Sequence, residues 1–533
     1  MIELAPVLLI AAAVCAARLL ARRTGISSPV LLVVGGLVVA AIWNDLGIEL
    51  DPNVVLVLFL PPLLYSAALE SSLTGFRANR RPILLLSVGL VLFTAFVVGL
   101  VAYALIPGLP LAAAFALGAI VGPPDAVAAI SIGRRVGLPA RMQTIIEGEG
   151  LLNDATALVM YRVAVAAAIG GGFSLWESAG RLVYAAAVGA AIGVAVAWIV
   201  GFIRSKLDEP LVENALSLAT PFIAYLPAEQ VGASGVLAVV VAGLMIGHAS
   251  PTVQSSRSRL QTQPVWRLVT FLLEGTVFLL IGLQLPGILN GLDAYSLWSL
   301  IQDGLILLLV VLLSRPLWIF PATYLPRRIS RRVRERDPSP PWQQPAGLSW
   351  AGMRGVVSLA AAFALPLTLN DGRPFPERDL VLFLTFVVIL GTLILQGLTF
   401  SSVLRWLGLR RDRQSVLLAQ AAAQQSAGRA GLARLDEALK DDPPPDGVAE
   451  GLRQLSASRM NSGWERLSEV REGADGDPER DETPSAAWRR IRAAMLEAER
   501  SELVRLRDAG QLPDEALREM QKQLDFEEVS LLR

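Results

Sequence analysis

The sequence contains a single cysteine, Cys15, and a single histidine, His248, among 533 residues. One cysteine cannot form a disulfide within the chain, and a Cys/His metal cluster or a histidine-rich proton relay requires more of these residues. Charged residues are also few, at 18%, and the 47 basic and 47 acidic side chains give a net charge of zero. Because nucleic acids are bound through an excess of positive charge, we expect no nucleic-acid partner.

Hydrophobic residues, in contrast, make up 53% of the chain, and the mean hydropathy is +0.52. This composition is typical of a membrane protein and argues against a water-soluble enzyme. Of the 94 charged side chains, 46 lie in residues 401–533, the last quarter of the chain. The sequence therefore predicts a transmembrane domain, residues 1–402, followed by a soluble tail, residues 403–533.

The apolar residues form segments long enough to cross a bilayer, for which about 20 residues are needed. There are about thirteen of them: 4–20, 28–44, 53–69, 82–106, 110–133, 142–168, 182–203, 211–228, 232–247, 268–290, 298–323, 347–369 and 380–402. The eighth and ninth lie close together and are rich in small residues, so twelve spans are the alternative. The predicted fold class is an all-α polytopic membrane protein with about thirteen transmembrane helices.

Basic residues alternate between the connections of these segments. Every second connection carries Arg or Lys, twenty in total between residues 18 and 336, whereas the others carry three, Arg181, Arg373 and Arg378. Cytoplasmic loops accumulate basic residues. With thirteen spans, the pattern predicts a protein of the cell membrane with its N-terminus outside and its tail in the cytoplasm.

The tail is predicted to be mostly helical, because charge-rich stretches alternate with helix breakers. The expected helices are 412–440, 447–471, 485–509 and 513–524, separated by Pro443-Pro444-Pro445 and by residues 473–478. No catalytic motif occurs in the tail, so we interpret it as a solvated extension that stabilises or regulates the membrane domain.

Ionisable side chains inside apolar segments are candidates for function, because each costs about 2.5–3.5 kcal/mol at the bilayer centre unless it is paired or hydrated. The sixth segment carries Glu147, Glu149, Asn153 and Asp154. On a helix, Glu149 and Asn153 share a face, whereas Asp154 lies about 140° from Glu149. We expect Asn153 and Asp154 to face a site and Glu149 to face a different neighbour.

Two other apolar segments carry a charge beside a helix-breaking sequence. The fifth contains Gly122-Pro123-Pro124-Asp125, where two prolines remove two backbone donors, so the helix must unwind. Such breaks mark the ion sites of transporters. The twelfth contains Gly352-Met353-Arg354-Gly355 at the corresponding place if segments 1–6 and 8–13 are repeats, which predicts inverted repeats with two broken helices. An arginine that reaches the membrane surface explains Arg354 alone equally well.

Arg315 lies deep in the eleventh segment, beside Pro316. A guanidinium stays charged there and needs a carboxylate partner, for which Glu149 is the candidate. The remaining charges inside the segments are interpreted as structural or as helix ends, with Glu274 the least clear of them. They are Arg162, Glu213, Glu274 and Asp303.

Together these motifs resemble the monovalent cation:proton antiporter 1 family, the bacterial sodium/proton antiporters akin to animal sodium/hydrogen exchangers. The resemblance covers nearly the whole membrane domain, with the motifs in the same order along the chain. The site residues that it implies are Asp154, Asn153 and Asp125 for ion binding, with transient Na⁺ binding at Asp154, Glu149 and Arg315 as a structural ion pair, and Arg354 as the arginine of the Gly-x-Arg-Gly motif.

The chain departs from the family pattern at two places. The usual Thr-Asp-Pro reads Pro124-Asp125-Ala126, and the usual serine after the first glutamate is Gly150. Two side-chain oxygens that can coordinate a cation are therefore missing, and water or backbone carbonyls would have to replace them. Cation selectivity depends on cavity size and ligand number, so the sequence leaves Na⁺ and K⁺ open.

The resemblance implies a secondary transporter, not an enzyme, without a cofactor. We expect Na⁺ or Li⁺ to exchange for H⁺ by alternating access at one buried aspartate, with K⁺/H⁺ exchange as the alternative. Within the family, an Asn-Asp pair accompanies electroneutral exchange, and a homodimer is also expected from the resemblance.

An alternative function, from a different functional class, is that of an intramembrane serine protease. Gly232-Ala233-Ser234-Gly235 has the form of a rhomboid nucleophile motif, and His248 is the available base. The tetrapeptide also arises by chance in glycine-rich membrane helices, and such proteases have far fewer spans. This remains the remote alternative.

Overall fold

The computed structural model describes residues 4–24, 28–42, 52–169, 175–207, 209–292, 295–369, 372–409, 413–441, 444–472, 484–509, 511–512 and 514–531. Within these residues the secondary structure is helical, apart from an isolated β-bridge between Thr368 and Pro374. The chain divides into two compact units, Met1–Arg411 and Asp412–Arg533.

The helices of the first unit follow the apolar segments. In chain order they are α1 Leu4–Thr24, α2 Ser28–Ile42, α3 Pro52–Glu70, α4 Leu73–Ala78, α5 Arg80–Leu84, a π-helical segment Leu85–Leu90, α6 Val91–Leu105, α7 Leu111–Val121, α8 Ala126–Val136, α9 Ala140–Ala168, α10 Leu175–Arg204, α11 Pro210–Gln230, α12 Gly235–Val253, α13 Ser256–Asn290, α14 Leu297–Ile329, α15 Arg331–Arg336, α16 Gln343–Trp350, α17 Val356–Phe363 and α18 Arg378–Trp406. Each of the thirteen predicted segments overlaps one helix or one interrupted pair of helices, except the fourth, which overlaps the continuous stretch of α5, the π-helical segment and α6.

Seven helical stretches in the described residues are long and apolar enough to cross a membrane. They are Arg80–Leu105, Ala140–Ala168, Val183–Arg204, Gly235–Val253, Ser256–Leu289, Leu297–Ile329 and Arg378–Trp406. Shorter apolar helices are Ser28–Ile42, Val57–Glu70 and Leu111–Val121. The all-helical fold class is thus confirmed, whereas the number of thirteen crossings stays a prediction.

The surface of the first unit matches a lipid environment. Large apolar side chains such as Trp198, Leu309 and Leu313 are exposed, while polar side chains are turned inward. Thr94 of α6 and Ser314 of α14, for example, are buried and lie 3.2 Å apart at their hydroxyl oxygens. This distribution is the reverse of that in a water-soluble domain, because lipid cannot pair with polar groups.

The two predicted breaks divide their segments into helix pairs. The fifth segment forms α7 and α8, which are separated by residues 122–125, and the twelfth forms α16 and α17, which are separated by residues 351–355. Small side chains dominate α7, which is buried between α6 and α9. Close packing of these helices places the first break beside the middle of α9.

The second unit is a set of polar helices, as expected for the tail. They are α19 Arg413–Asp441, α20 Val448–Glu472, α21 Pro484–Asp508 and α22 Asp514–Leu531. Helix α19 packs on α20, and α21 packs on α22 with ion pairs such as Arg492 to Glu527 at 2.7 Å. The predicted break at 473–478, together with Pro443, lies outside the described residues.

Candidate functional site

The two broken segments meet at their breaks. The backbone N–H of Asp125 donates a hydrogen bond to the carbonyl of Met353, with an N to O distance of 2.6 Å. Gly355 faces the Asp125 side chain so closely that a Cβ at this position would overlap the carboxylate. Segments more than two hundred residues apart in sequence therefore share one contact, and any side chain at position 355 would require the Asp125 carboxylate to move.

Asn153 fixes α9 against the first break. Its side-chain amide donates to the carbonyl of Pro124 at 2.6 Å, and the side chain is fully buried. A carbonyl freed by an interrupted helix needs such a donor when no water is near. Within the described part of the chain, Asn153 Oδ1 has no hydrogen-bond partner. Asn153 therefore holds the break in place and sets the position of the next residue, Asp154.

A cavity of about 250 Å³ begins at Asp154. Asp125 and Glu274 also line it, and with Glu70 and Glu147 five carboxylates line the same cavity. Asp154 is only 6% exposed, and no described residue gives it a hydrogen bond or an ion pair. A buried carboxylate of this kind is available to a proton or to a small cation.

The cavity extends from Asp154 towards the N-terminal end of α9. At that end it is lined by Glu70, Arg134, Glu147 and Arg267. Arg134 bridges Glu70 at 3.5 Å and Glu147 at 3.3 Å, and its side chain is half exposed. Arg134 and Arg267 belong to two of the connections that are rich in basic residues.

In the opposite direction along α9, the space beside Asp154 is much smaller. A cavity of only about 10 Å³ remains there, lined mainly by apolar groups that include Leu60, Ile120 and Leu158. Tyr161, two helical turns beyond Asp154, is buried against it. Among the described residues, the larger space at Asp154 is therefore the one that leads towards Arg134 and Arg267.

Glu149 and Arg315 form a buried ion pair. Arg315 Nη1 lies 2.7 Å from Glu149 Oε1, Nη2 lies 3.2 Å from Oε2, and the side chains are 1% and 2% exposed. Arg315 Nη2 also donates to the carbonyl of Leu348 at 3.1 Å. The pair connects α9, α14 and α16, so it fixes the helix that carries Asp154 to the helix before the second break.

Arg354 is fully buried beside this pair. Its backbone N–H donates to Thr392 Oγ1 at 3.0 Å. In the described residues, none of its three guanidinium nitrogens has a hydrogen-bond acceptor. The charges of Arg315 and Glu149 both act on it. The alternative that Arg354 reaches the membrane surface is therefore wrong, because the helix break places it inside the protein.

Glu274 was interpreted from the sequence as one of the structural charges, yet it lines the Asp154 cavity. A glutamate in the middle of an apolar run, with no basic residue three or four positions away, is the signal that distinguishes it. Two of the others do have partners: Arg162 pairs with Glu229 at 2.6 Å, and Glu213 accepts from Ser255 at 3.2 Å.

Gly150, which replaces the family's serine, lies where α9 crosses the start of α8. A Cβ at Gly150 would overlap the Cβ of Ala126. The two departures from the family pattern are therefore in contact, and the space of the missing serine is filled by the residue that replaces proline.

The protease alternative does not fit the structure. Ser234 is the N-cap of α12 and accepts a hydrogen bond from the N–H of Leu237 at 3.2 Å. His248 lies on the same helix, exposed, and fourteen residues correspond to about 21 Å along the helix axis. A nucleophile and its base must be within hydrogen-bond distance.

Comparison with known proteins gives the same family as the motifs. The sodium/hydrogen exchanger transmembrane family model matches residues 9–406. An uncharacterised Na⁺/H⁺ exchanger of Mycobacterium tuberculosis is 36% identical over 531 residues, covering 98% of this chain and 95% of that protein. A sodium, potassium, lithium and rubidium/H⁺ antiporter of Bacillus pumilus is 32% identical over 515 residues, covering 95% of this chain and 74% of that protein.

A solved structure shows the same fold. The sodium proton antiporter of Methanocaldococcus jannaschii superposes with a TM-score of 0.59 at 20% identity, covering 75% of this chain and 98% of that one. The family match spans nearly the whole first unit, and the relatives are transporters, not enzymes. The resemblance drawn from the motifs is confirmed: the chain belongs to the sodium/hydrogen exchanger family of transmembrane cation/proton antiporters.

Proposed function

We propose that the protein exchanges Na⁺, or Li⁺, for H⁺ at Asp154 by alternating access. The observation that carries this proposal is the position of Asp154, a buried carboxylate that lines the cavity and has no partner among the described residues. Asn153 and Asp125 assist it, because one holds the first break and the other lines the same cavity.

Competition for one carboxylate is sufficient for exchange. A proton and a small hard cation each neutralise Asp154, but they cannot occupy it together. An empty aspartate carries a full negative charge, which is costly to move through a low-dielectric barrier. Only the loaded site then changes access, so each outward step with one ion requires an inward step with the other.

The cavity supports an inward-facing arrangement. It leads from Asp154 to Arg134 and Arg267, whose connections we assign to the cytoplasm from their basic residues. In the alternate state, the contacts around Tyr161 and Leu60 would open and the cytoplasmic cavity would close.

We propose that the exchange is electroneutral. Asn153 brings no charge, and the buried Glu149 is already neutralised by Arg315. One exchangeable carboxylate, Asp154, then carries one proton or one monovalent cation in each direction. A transport rate that changes with an imposed membrane potential would contradict this stoichiometry.

K⁺/H⁺ exchange is the second candidate. The relative from Bacillus pumilus is described as an antiporter of sodium, potassium, lithium and rubidium. In this chain Pro124 and Gly150 remove two side-chain oxygens that the family pattern supplies. Fewer side-chain ligands favour a larger, more easily dehydrated cation.

The remaining assignments concern placement. We propose that residues 1–402 form the antiporter domain in the cell membrane, with the N-terminus outside, and that residues 403–533 form a cytoplasmic tail. In a Cys15→Ser background, labelling of a cysteine at cavity residue Ala67 from outside intact cells would contradict this orientation.

A homodimer is proposed from the family resemblance, and a monomeric mass in detergent by light scattering would contradict it.

The test is dissipation of a pH gradient by added cations in everted vesicles from cells that lack their own antiporters. Wild type is expected to respond to Na⁺ or Li⁺, and Asp154→Asn is expected to lose the response at equal protein level. Asp303→Asn is a matched control, because it makes the same chemical change in α14 at a carboxylate outside the cavity.

A response to K⁺ alone would agree with Asp154 as the exchange site but would make K⁺ the transported cation. Retention of full exchange by Asp154→Asn would refute Asp154 as the exchange site. Equal loss in Asp303→Asn would show that the assay reports damage to the membrane domain and not the removal of one ligand.

A further inference from the structure

Three arginines surround a single aspartate, Asp337, away from the Asp154 cavity. Arg141 Nη2 lies 2.6 Å from Asp337 Oδ1, Arg327 Nη2 lies 2.5 Å from Oδ2, and Arg81 Nη1 lies 3.9 Å from Oδ2. The arginines come from α9, α14 and α5, and we call them with Asp337 the arginine cluster. Three cations on one carboxylate leave an excess of two positive charges.

The guanidinium nitrogens of these arginines differ in whether they have a hydrogen-bond acceptor. Arg327 is buried, and its nitrogens donate to Asp337 and to the carbonyl of Thr323. Arg141 Nε donates to Asn79 Oδ1 at 3.1 Å. Arg81 Nη2, in contrast, is buried without a hydrogen-bond acceptor among the described residues. A buried guanidinium nitrogen without an acceptor is unfavourable, and a bound anion would provide one.

The start of α9 adds to the positive potential. Arg141 is its second residue, the first turn contains no acidic side chain, and the N-cap, Pro139, makes no side-chain cap. The N-terminus of a helix carries a partial positive charge that favours anions. The helix dipole and the unpartnered Arg81 nitrogen therefore point independently to a negatively charged ligand.

The interior of this pocket is apolar. The three arginines lie beside apolar residues of α9, α14 and the π-helical segment that follows α5: Leu85, Met142, Ile145, Ile319 and Ala322. A free inorganic anion gains nothing from an apolar wall, whereas the glycerol and acyl parts of a phospholipid do. The arginines also lie in three of the connections that we assign to the cytoplasm, and basic pockets between membrane helices on that side bind anionic lipids.

We propose that Arg81, Arg141 and Arg327 bind a phosphate group, and that the apolar lining selects the phosphate of an anionic phospholipid. Binding would hold the first turn of α9, the helix that carries Asn153 and Asp154. The effect on transport rests on the proposed function, whereas the binding itself does not.

The test measures thermal unfolding of the purified full-length protein in detergent. Phosphatidylglycerol is added in increasing concentration. Phosphatidylcholine, which has no net charge, and inorganic phosphate are added in separate, parallel titrations. We expect phosphatidylglycerol to raise the unfolding temperature in a saturable way. Arg81→Gln should weaken its apparent affinity about tenfold, the loss of one charge-assisted hydrogen bond. Arg328→Gln is the control, since Arg328 is exposed and lies outside the pocket.

The possible outcomes distinguish a phospholipid from inorganic phosphate as the ligand, and they distinguish the phosphate site from the proposed cation exchange. An equal shift with inorganic phosphate would overturn the lipid as the ligand and keep the phosphate site. An equal loss of affinity in Arg81→Gln and Arg328→Gln, or no saturable shift in wild type, would overturn the site. Binding is measured without transport, so a failure of cation exchange leaves these results unaffected. In proteoliposomes, exchange that is faster with phosphatidylglycerol in wild type but not in Arg81→Gln would support the link to α9.

Discussion

Removal of Arg315 tests whether the buried pair with Glu149 supports the site. Arg315→Ala leaves the Glu149 carboxylate in an interior position where it is 2% exposed. Because the two side chains are paired through two hydrogen bonds, we expect the variant to be less stable and to lose exchange. The loss of exchange would follow from displacement of α9 and not from removal of an ion ligand.

The magnitude follows from the burial of both groups. Breaking a buried pair by removing one partner costs about 3–5 kcal/mol of unfolding free energy. The carbonyl of Leu348 also loses its donor, which costs about 1–3 kcal/mol for a buried acceptor. The charge of Arg354 acts on the same region and offsets part of this loss, because it remains close to Glu149. We therefore expect a net destabilisation of about 3–5 kcal/mol.

A double variant separates a lost charge partner from lost packing. Glu149→Leu with Arg315→Met removes both charges and keeps the volume, so it should recover most of the stability, as buried pairs replaced by apolar residues do. Tryptophan fluorescence during heating gives the unfolding temperature of each variant and so ranks their stabilities, since the protein has 11 tryptophans. Arg162→Ala, which breaks the more exposed pair with Glu229, should change stability by less than about 1 kcal/mol. The reasoning is refuted if the double variant is no more stable than Arg315→Ala.

Three further predictions follow from the site. Glu274→Gln should weaken the apparent affinity for the cation several-fold without abolishing exchange, because it removes one of the five carboxylates that line the cavity; an unchanged half-saturating Na⁺ concentration would contradict this. Arg354→Met should raise the unfolding temperature while it lowers exchange, because a buried guanidinium without acceptors is unfavourable, and a lower unfolding temperature would argue against it. Gly355→Ala should inactivate exchange, since the new Cβ overlaps the Asp125 carboxylate; wild-type rates in vesicles would exclude that contact.

Much of the helical framework is predictable from the sequence. The runs of apolar residues locate the helices of the membrane unit, because a helix in lipid must be apolar over its whole length. The prolines at Pro123 and Pro124 locate the first break, since two consecutive prolines deny two backbone donors. Helical periodicity also separates the face of Asp154 from that of Glu149, and the structure gives these residues different neighbours.

Contacts between segments that are far apart in the chain could not be predicted from the sequence. Periodicity assigns Glu274 to a face of its helix, but not the cavity that this face borders. It likewise does not indicate that Asp337, in a polar connection, lies between arginines of three helices. The π-helical segment Leu85–Leu90 has no marker of its own, since its residues are those of an ordinary apolar helix. Such features depend on tertiary packing, which overrides local preference.

The hydrogen bond from the Asp125 N–H to the Met353 carbonyl involves peptide groups only. Substitution of side chains leaves those atoms in place, and only a proline at position 125 would delete the donor. Substitutions that alter the ligands around Asp154, and with them the preferred ion, therefore need not separate the two broken segments. Such a backbone link allows one architecture to serve different monovalent cations.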